Sequence, residues 1–262
     1  MQKISISHSI IKTIRKLKKK SHPNLIVIEG LSILEIAIQT HIDIEAFIYC
    51  EELIYSDDAI KLKAHYESSA KNVYSVSKKT YESVADKENS AGFIAIVNYQ
   101  PQSIESVDFA KKNFVLVLNG LELPGNMGSI YRTAYAINVD LVMIVDCQTD
   151  VTSPKFIASS RGVFFDVPTI KCDYETAQKI LLNNNYRIVL AEPELGTSYN
   201  HFNYDGKIAI VVGSERYGIN KNWYSNPNEK VFIPMRENMK SLNVGIAASI
   251  LLYEAATKKD KI

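Results

Sequence analysis

Three short runs with almost no polar residue, Phe114–Leu118 (FVLVL), Leu141–Val145 (LVMIV) and Ile208–Val212 (IAIVV), constrain this chain most. A strand that is apolar at every position has no face to give to water. Both faces must be covered, which is the pattern of a parallel sheet flanked by helices. Between these runs the spacing predicts helices from Asn126 to about Ile137 and over Tyr174–Asn184, with a further strand at Tyr186–Ala191. Strands alternating with helices predict a parallel, doubly wound α/β sheet with Ile208–Val212 at its centre. Ligands in such sheets sit outside the carboxyl ends of the strands.

The first hundred residues read as a separate, smaller α/β layer. Strands are predicted at Leu25–Ile28, Ile44–Tyr49, Val73–Val76 and Ala91–Val97, and helices at Leu31–Thr40, Asp57–Ser69 and Lys78–Ala85. Ahead of them, residues 5–20 form a candidate helix with Ile6, Ile10, Ile11, Ile14 and Leu17 apolar. Its end carries Lys12, Arg15, Lys16, Lys18, Lys19 and Lys20, six cations within nine residues. Such a run is either a solvated face suited to a helix C-terminus or a patch for phosphates. No nucleophile-and-base pair stands out in this region, so it reads as a binding module. Tyr99–Lys112, polar and carrying Pro101, reads as the linker. The organisation is therefore 1–98 for recognition, 99–112 as linker and 113–262 for chemistry.

Composition narrows the class. The 262 residues are 46% hydrophobic and 23% charged with net charge +1, enough for a buried core and too neutral for bulk electrostatic binding of nucleic acid. Cys50, Cys147 and Cys172 are few, odd in number and unclustered, which together with the lack of a signal peptide points to a reducing cytoplasm. No run approaches a membrane span, and no Cys/His spacing suits a metal, so neither partner is expected. His8, His22, His41, His65 and His201 have no recognisable nucleophile partner and read as structural or surface residues.

Three segments at strand ends carry chemistry. In the first, Asn119–Thr133 (NGLELPGNMGSIYRT), Pro124-Gly125 is a turn signal and Asn126 a candidate N-cap. Gly128 would leave the first-turn N–H groups open to an anion, and Arg132 leans back over the same end. In the second, Ile208–Val212 ends in Gly213-Ser214-Glu215, where a glycine admits close approach and a glutamate stands at the ligand-bearing edge. In the third, Val231–Glu254 (VFIPMRENMKSLNVGIAASILLYE), a strand is stopped by Pro234. Ser241-Leu242-Asn243 then opens an apolar helix, and its small residues Gly245–Ser249 let another backbone come close. Taken singly, each segment also fits an ordinary strand-turn-helix connection.

Together, LNGLELPGNMGSIYRTA, IAIVVGSERYG and VFIPMRENMKSLNVGIAASILLYE resemble the three motifs of the SpoU/TrmH family of RNA ribose 2′-O-methyltransferases. The resemblance covers Phe114 to the C-terminus strongly. It extends more weakly to the N-terminal part, which is similar to the ribosomal-protein-like RNA-binding domain of many members. It implies a SPOUT fold with a deep trefoil knot, S-adenosylmethionine as cofactor, a homodimer, and structured RNA, most simply 23S ribosomal RNA, as substrate. By motif, the cofactor contacts would be Leu190, Gly213, Ile233, Met235 and Leu242, and the site residues Asn126, Arg132, Glu215, Ser241 and Asn243. The stretch SSRG with Arg161 resembles the subgroup that methylates ribosomal RNA to give thiostrepton-type resistance, and Arg161 joins Lys16, Lys18, Lys19 and Lys20 as an expected RNA contact. Gly245 departs from the Ser or Ala of many members. A non-catalytic RNA-binding relative and a transfer-RNA ribose methyltransferase are the competing readings. A small-molecule hydrolase or dehydrogenase fits poorly, since neither G-x-S-x-G nor a properly placed G-x-G-x-x-G occurs.

Overall fold

The computed structural model describes residues 2–86 and 91–262. The chain forms two compact units, Met1–Gln100 with Asp150–Asp166, and Pro101–Thr149 with Val167–Ile262.

In the first unit the elements run β1 (Gln2–Lys3), α1 (Ser9–Lys19), β2 (Leu25–Glu29), α2 (Leu31–Gln39), β3 (Ile44–Tyr49), α3 (Asp57–Ser69), β4 (Val73–Ser75), α4 (Lys78–Glu82) and β5 (Phe93–Asn98). The sheet order is β1-β4-β3-β5-β2, with β5 antiparallel to both β2 and β3, so this layer is mixed. Helix α1 starts at residue 9 because His8 caps it, its Nδ1 accepting the Ile10 N–H at 3.3 Å. It buries Ile11, Ile14 and Leu17 and leaves Lys12, Lys16, Lys19 and Lys20 exposed. Ser56 and Ser77 cap α3 and α4 through their hydroxyls, the ordinary way to satisfy first-turn donors.

The second unit begins earlier than the sequence suggested. Ile104, Val107 and Phe109, on two 3₁₀ turns within the expected linker, pack onto its core. Its elements start with β6 (Phe114–Asn119), α5 (Pro124–Ala136) and β7 (Leu141–Val145). The chain then gives α6 (Pro154–Ser160) to the first unit before returning as β8 (Thr169–Cys172), α7 (Tyr174–Asn183), β9 (Arg187–Glu192), β10 (Thr197–Ser198), β11 (Ile208–Gly213), β12 (Glu229–Phe232) and α8 (Val244–Lys258). Residues 163–170, apolar and rich in β-formers, open with a 3₁₀ turn over Val163–Phe165. Phe164 is fully buried there against Tyr99 and Phe156, at ring separations of 4.9 and 5.4 Å. Packing of that ring outweighs the β propensity of the run.

Every strand pair of the second sheet is parallel, in the order β10-β12-β9-β11-β6-β7-β8, which puts β11 at the centre. All of Phe114–Leu118 and Leu141–Val145 is essentially inaccessible to water. Each such side chain contributes about 1.5–3 kcal/mol of burial, which anchors the sheet on the β6 side of β11. No helix among the described residues is long and apolar enough to cross a membrane.

Candidate active site

A cleft of about 410 Å³ opens at the carboxyl ends of β9, β11 and β12. Its walls come from three stretches distant in sequence. Ala191–Pro193 end and follow β9, Gly213–Glu215 and Tyr217–Ile219 end and follow β11, and Ile233, Met235, Ser241 and Leu242 follow β12. Tyr224, Val244, Ala247 and Leu251 complete it. Parallel strands all end on one side, so the loops after them converge there. Leu190 is different. It is fully buried in the core, and the wall belongs to the residues just after it.

Gly213 has a steric reason as well as a functional one. A Cβ there would lie 2.2 Å from the carbonyl carbon of Gly218, because residues 214–218 fold back and Ser214 and Gly218 exchange backbone hydrogen bonds at 2.9 and 3.0 Å. From Met235 to Leu242, the one backbone–backbone hydrogen bond among the described residues runs from the Met239 N–H to the Arg236 carbonyl. The remaining peptide groups of this segment are available to a ligand.

Asn126, Glu215 and Asn243 form a hydrogen-bonded chain whose direction is fixed by its start. The N–H groups of Gly245 and Ile246 can only donate, and both point at Asn243 Oδ1, at 2.9 and 3.3 Å. The Asn243 amide nitrogen therefore faces outward and donates to Asn126 Oδ1 at 3.1 Å. Asn126 Nδ2 in turn donates to Glu215 Oε1. The free N-terminal donors of α8 thus orient a carboxylate at the end of β11 through two amides. Asn126 is not itself a cap. Pro124 occupies the first helical position of α5, where its missing N–H costs nothing, and Leu123 takes the cap position without a side-chain bond. Ser241 does not cap α8 either; that place is Asn243's, and Ser241 lines the cleft.

Arg132 is exposed and makes no ion pair among the described residues. It does not line the cleft. It borders an adjoining groove of about 480 Å³ together with Ser129, Asn243, Gly245, Ile246 and Tyr253. Asn243 faces this groove while Leu242 and Val244 on either side of it face the cleft, so one turn of chain separates the two spaces. Gly245 leaves room for the Asn243 cap: a Cβ there would crowd Asn243 Oδ1 at 3.1 Å, while Ser129 Cβ on α5 would lie at an ordinary 3.7 Å. Thr133 and Ser249 hydroxyls join the same two helices at 2.8 Å.

The expected RNA-contacting residues divide. Lys16, Lys19 and Lys20 are exposed at the end of α1 and make no ion pair among the described residues. Lys18 is not: its ammonium pairs with Glu29, whose side chain is 5% exposed, and with Asp86 at 3.4 Å. Lys18 lies on the side of α1 that meets β2, which is why it answers a buried carboxylate rather than solvent. Arg161 is exposed in left-handed backbone (φ 52°) at the end of α6. It borders a pocket of the first unit beside Ser32 and the start of α2. Glu192, Tyr217 and Tyr224 line the cleft without having been singled out from sequence. Glu192 carried a usable signal, as a charged residue ending an apolar strand; Tyr224 carried none.

Residues 113–253 match the SpoU rRNA Methylase family and residues 8–95 the MRM3-like substrate binding domain. The 23S rRNA (guanosine(2553)-2'-O)-methyltransferase RlmP of Bacillus subtilis is 24% identical, aligning over 92% of each chain. A crystal structure of an RNA 2'-O ribose methyltransferase superposes with a TM-score of 0.82 at 27% identity, covering 99% of both chains. The SpoU methyltransferase AviRb of Streptomyces viridochromogenes, crystallised with AdoMet, has the same fold, with a TM-score of 0.83 at 18% identity over 97% of this chain and 99% of that one. With more than half its length matched and the motif residues gathered at one sheet edge, the chain belongs to the SpoU rRNA methylase family.

Proposed function

We propose that this protein transfers a methyl group from S-adenosylmethionine to a ribose 2′-hydroxyl of structured RNA, with 23S ribosomal RNA as the substrate and the cytoplasm as its place of action. The observation that carries the reading is that the second and third motif segments line one cleft, while the first reaches its edge through the Asn126–Glu215 hydrogen bond and sets Arg132 beside Asn243 on the adjoining groove. The cleft fits the cofactor. Its volume falls within the roughly 300–1,000 Å³ of small-molecule sites, its walls include Val212, Ile219, Ile233 and Leu251, and the peptide groups of 235–242 supply polar contacts without side chains.

S-adenosylmethionine would supply an electrophilic methyl on a sulfonium. The chain's task is to bring a weak nucleophile, the 2′-hydroxyl, in line with it and to ease loss of its proton. Arg132 cannot take that proton, because a guanidinium stays protonated in proteins. Its planar fork instead grips the neighbouring phosphate and stabilises negative charge growing on the 2′ oxygen, while a phosphate oxygen or water accepts the proton. Asn126 and Asn243 hold Glu215 in place at the cleft edge, and Ser241 stands where it reaches ribose or cofactor.

The reading includes the family's trefoil knot around the cofactor segment and a homodimer built on the α5–α8 face. Ile246 and Tyr253, which border the groove beside Arg132, are 55% and 46% exposed, an apolar pair for a partner subunit to cover. RNA is selected by the first unit, through Lys16, Lys19 and Lys20 on α1 and through Arg161. The test is methyl transfer from labelled S-adenosylmethionine to ribosomal RNA. Arg132→Ala should lower turnover about 100- to 1,000-fold, the usual cost of one oriented donor, while cofactor affinity holds; Arg132→Lys, which keeps charge and loses the fork, should recover little. An Arg132→Ala enzyme of normal rate rules the assignment out.

A further inference from the structure

The cleft contains a second polar pair that the motif residues do not account for. Glu192, the last residue of β9, and Tyr224 both line it, and the Tyr224 hydroxyl donates to Glu192 Oε1. Tyr224 is held by its neighbours rather than by the pair alone. Trp223 is buried edge-on against Tyr174, the Tyr174 hydroxyl donates to the Asn222 carbonyl at 2.7 Å, and the Asn220 N–H donates to Asn119 Oδ1 at 2.8 Å. The phenol is therefore a preorganised group, not a loose surface tyrosine. Burial, then the adjacent Glu192, pushes its pKa upward, so it stays a donor to the carboxylate at any working pH.

The geometry points to Glu192 and Tyr224 as the ribose-reading pair of the nucleoside site: the carboxylate and the phenol oxygen accept the two hydroxyls of the cofactor's 2′,3′-diol. This rests on the assignment of S-adenosylmethionine to the cleft and adds which groups recognise its sugar. With one Glu192 oxygen engaged by Tyr224, the other and the phenol's lone pairs remain as neighbouring acceptors, the match for two adjacent hydroxyl donors. A carboxylate at the carboxyl end of a parallel strand is the standard solution for a ribose in doubly wound sheets. The competing donor on the cofactor, its α-ammonium, suits the place less. Lys230 Nζ already lies 5.4 Å from the centre of the Tyr224 ring, and a second cation beside it would be repelled, whereas a neutral diol would not. Glu215, the other carboxylate in the cleft, is held by Asn126 on the side of Arg132 and is left to the reacting end.

The test is calorimetric binding to the full chain with three probes: S-adenosylhomocysteine, its 2′,3′-dideoxy analogue, and 5′-methylthioadenosine, which keeps the diol and lacks the amino acid. Glu192→Gln and Tyr224→Phe should each weaken S-adenosylhomocysteine and methylthioadenosine about tenfold, the loss expected for a charge-assisted hydrogen bond. The dideoxy analogue should bind wild type and both variants within about twofold of one another. Equal losses for all three probes would make the pair merely structural and overturn the proposal. Loss confined to S-adenosylhomocysteine would assign Glu192 to the ammonium and overturn it equally. If the wild-type protein bound none of the probes, the reading of the cleft itself would fail, an outcome distinct from either.

Discussion

Replacing Asn243 separates the two jobs the structure gives it. Its Oδ1 caps α8 through two N–H groups, and its amide nitrogen fixes Asn126. Asn243→Ala loses both. Removing an Asn cap costs about 1 kcal/mol, and the exposed bond to Asn126 adds about 0.5 kcal/mol. For a chain of this size each kcal/mol moves the melting temperature by roughly 2–4 °C, so Tm should fall by about 3–6 °C. Asn243→Asp keeps the cap, and its charge suits a helix N-terminus. Its Tm should stay within about 1 °C of wild type or rise. Aspartate has no N–H for Asn126, however, so the hold on Glu215 is lost and turnover should drop about tenfold. Scanning calorimetry and single-turnover methyl transfer on the same samples read the two effects. An Asp variant that is stable and fully active refutes the directed chain, and an Ala variant with unchanged Tm refutes the cap.

The buried pair of Lys18 and Glu29 gives a pH test. Burial raises the pKa of Glu29 above its ordinary 4.5 despite Lys18. A carboxyl with a raised folded-state pKa favours folding most below its unfolded pKa, and that advantage is lost as pH rises through the folded value. Lys18→Met should accordingly cost about 3 kcal/mol at pH 8, where Glu29 would be buried and charged with no cation beside it, and markedly less at pH 5; equal losses in urea unfolding at both pH values would refute the pairing. Neutralising Lys16, Lys19 and Lys20 together should lower the slope of log affinity for RNA against log salt by about 2, at about 0.7–0.9 per phosphate contact, and an unchanged slope removes α1 from the interface. Ile246→Asp should yield monomers in sedimentation; a dimer of wild-type affinity would place the interface elsewhere.

Much of the fold was legible because its signals are local. β3, α3 and β7 have the bounds read from their sequence, Ile44–Tyr49, Asp57–Ser69 and Leu141–Val145, and the apolar Ile208–Val212 does hold the middle of the sheet. What misled were features decided by distant partners. Asn126 reads as a cap until Pro124 is seen to start the helix, which frees its amide for residues 89 and 117 positions away. Lys18 looks like its neighbours on the basic run until Glu29 is found buried beneath it. Residues 150–166 join the first unit because Phe164 packs on Tyr99, a contact no window of sequence contains. The site itself was visible as three motifs, while the Glu192–Tyr224 pair arises only where the ends of β9 and the 3₁₀ turn at Lys221–Ser225 meet.

A map of 2′-O-methylation across ribosomal RNA from cells with and without this protein tests the central claim most directly. The account predicts that one ribose of 23S RNA loses its methyl group in the deleted strain and regains it when purified protein and S-adenosylmethionine are added to that RNA. Identical maps in the two strains, with no methyl incorporated in the reconstituted reaction, would contradict it.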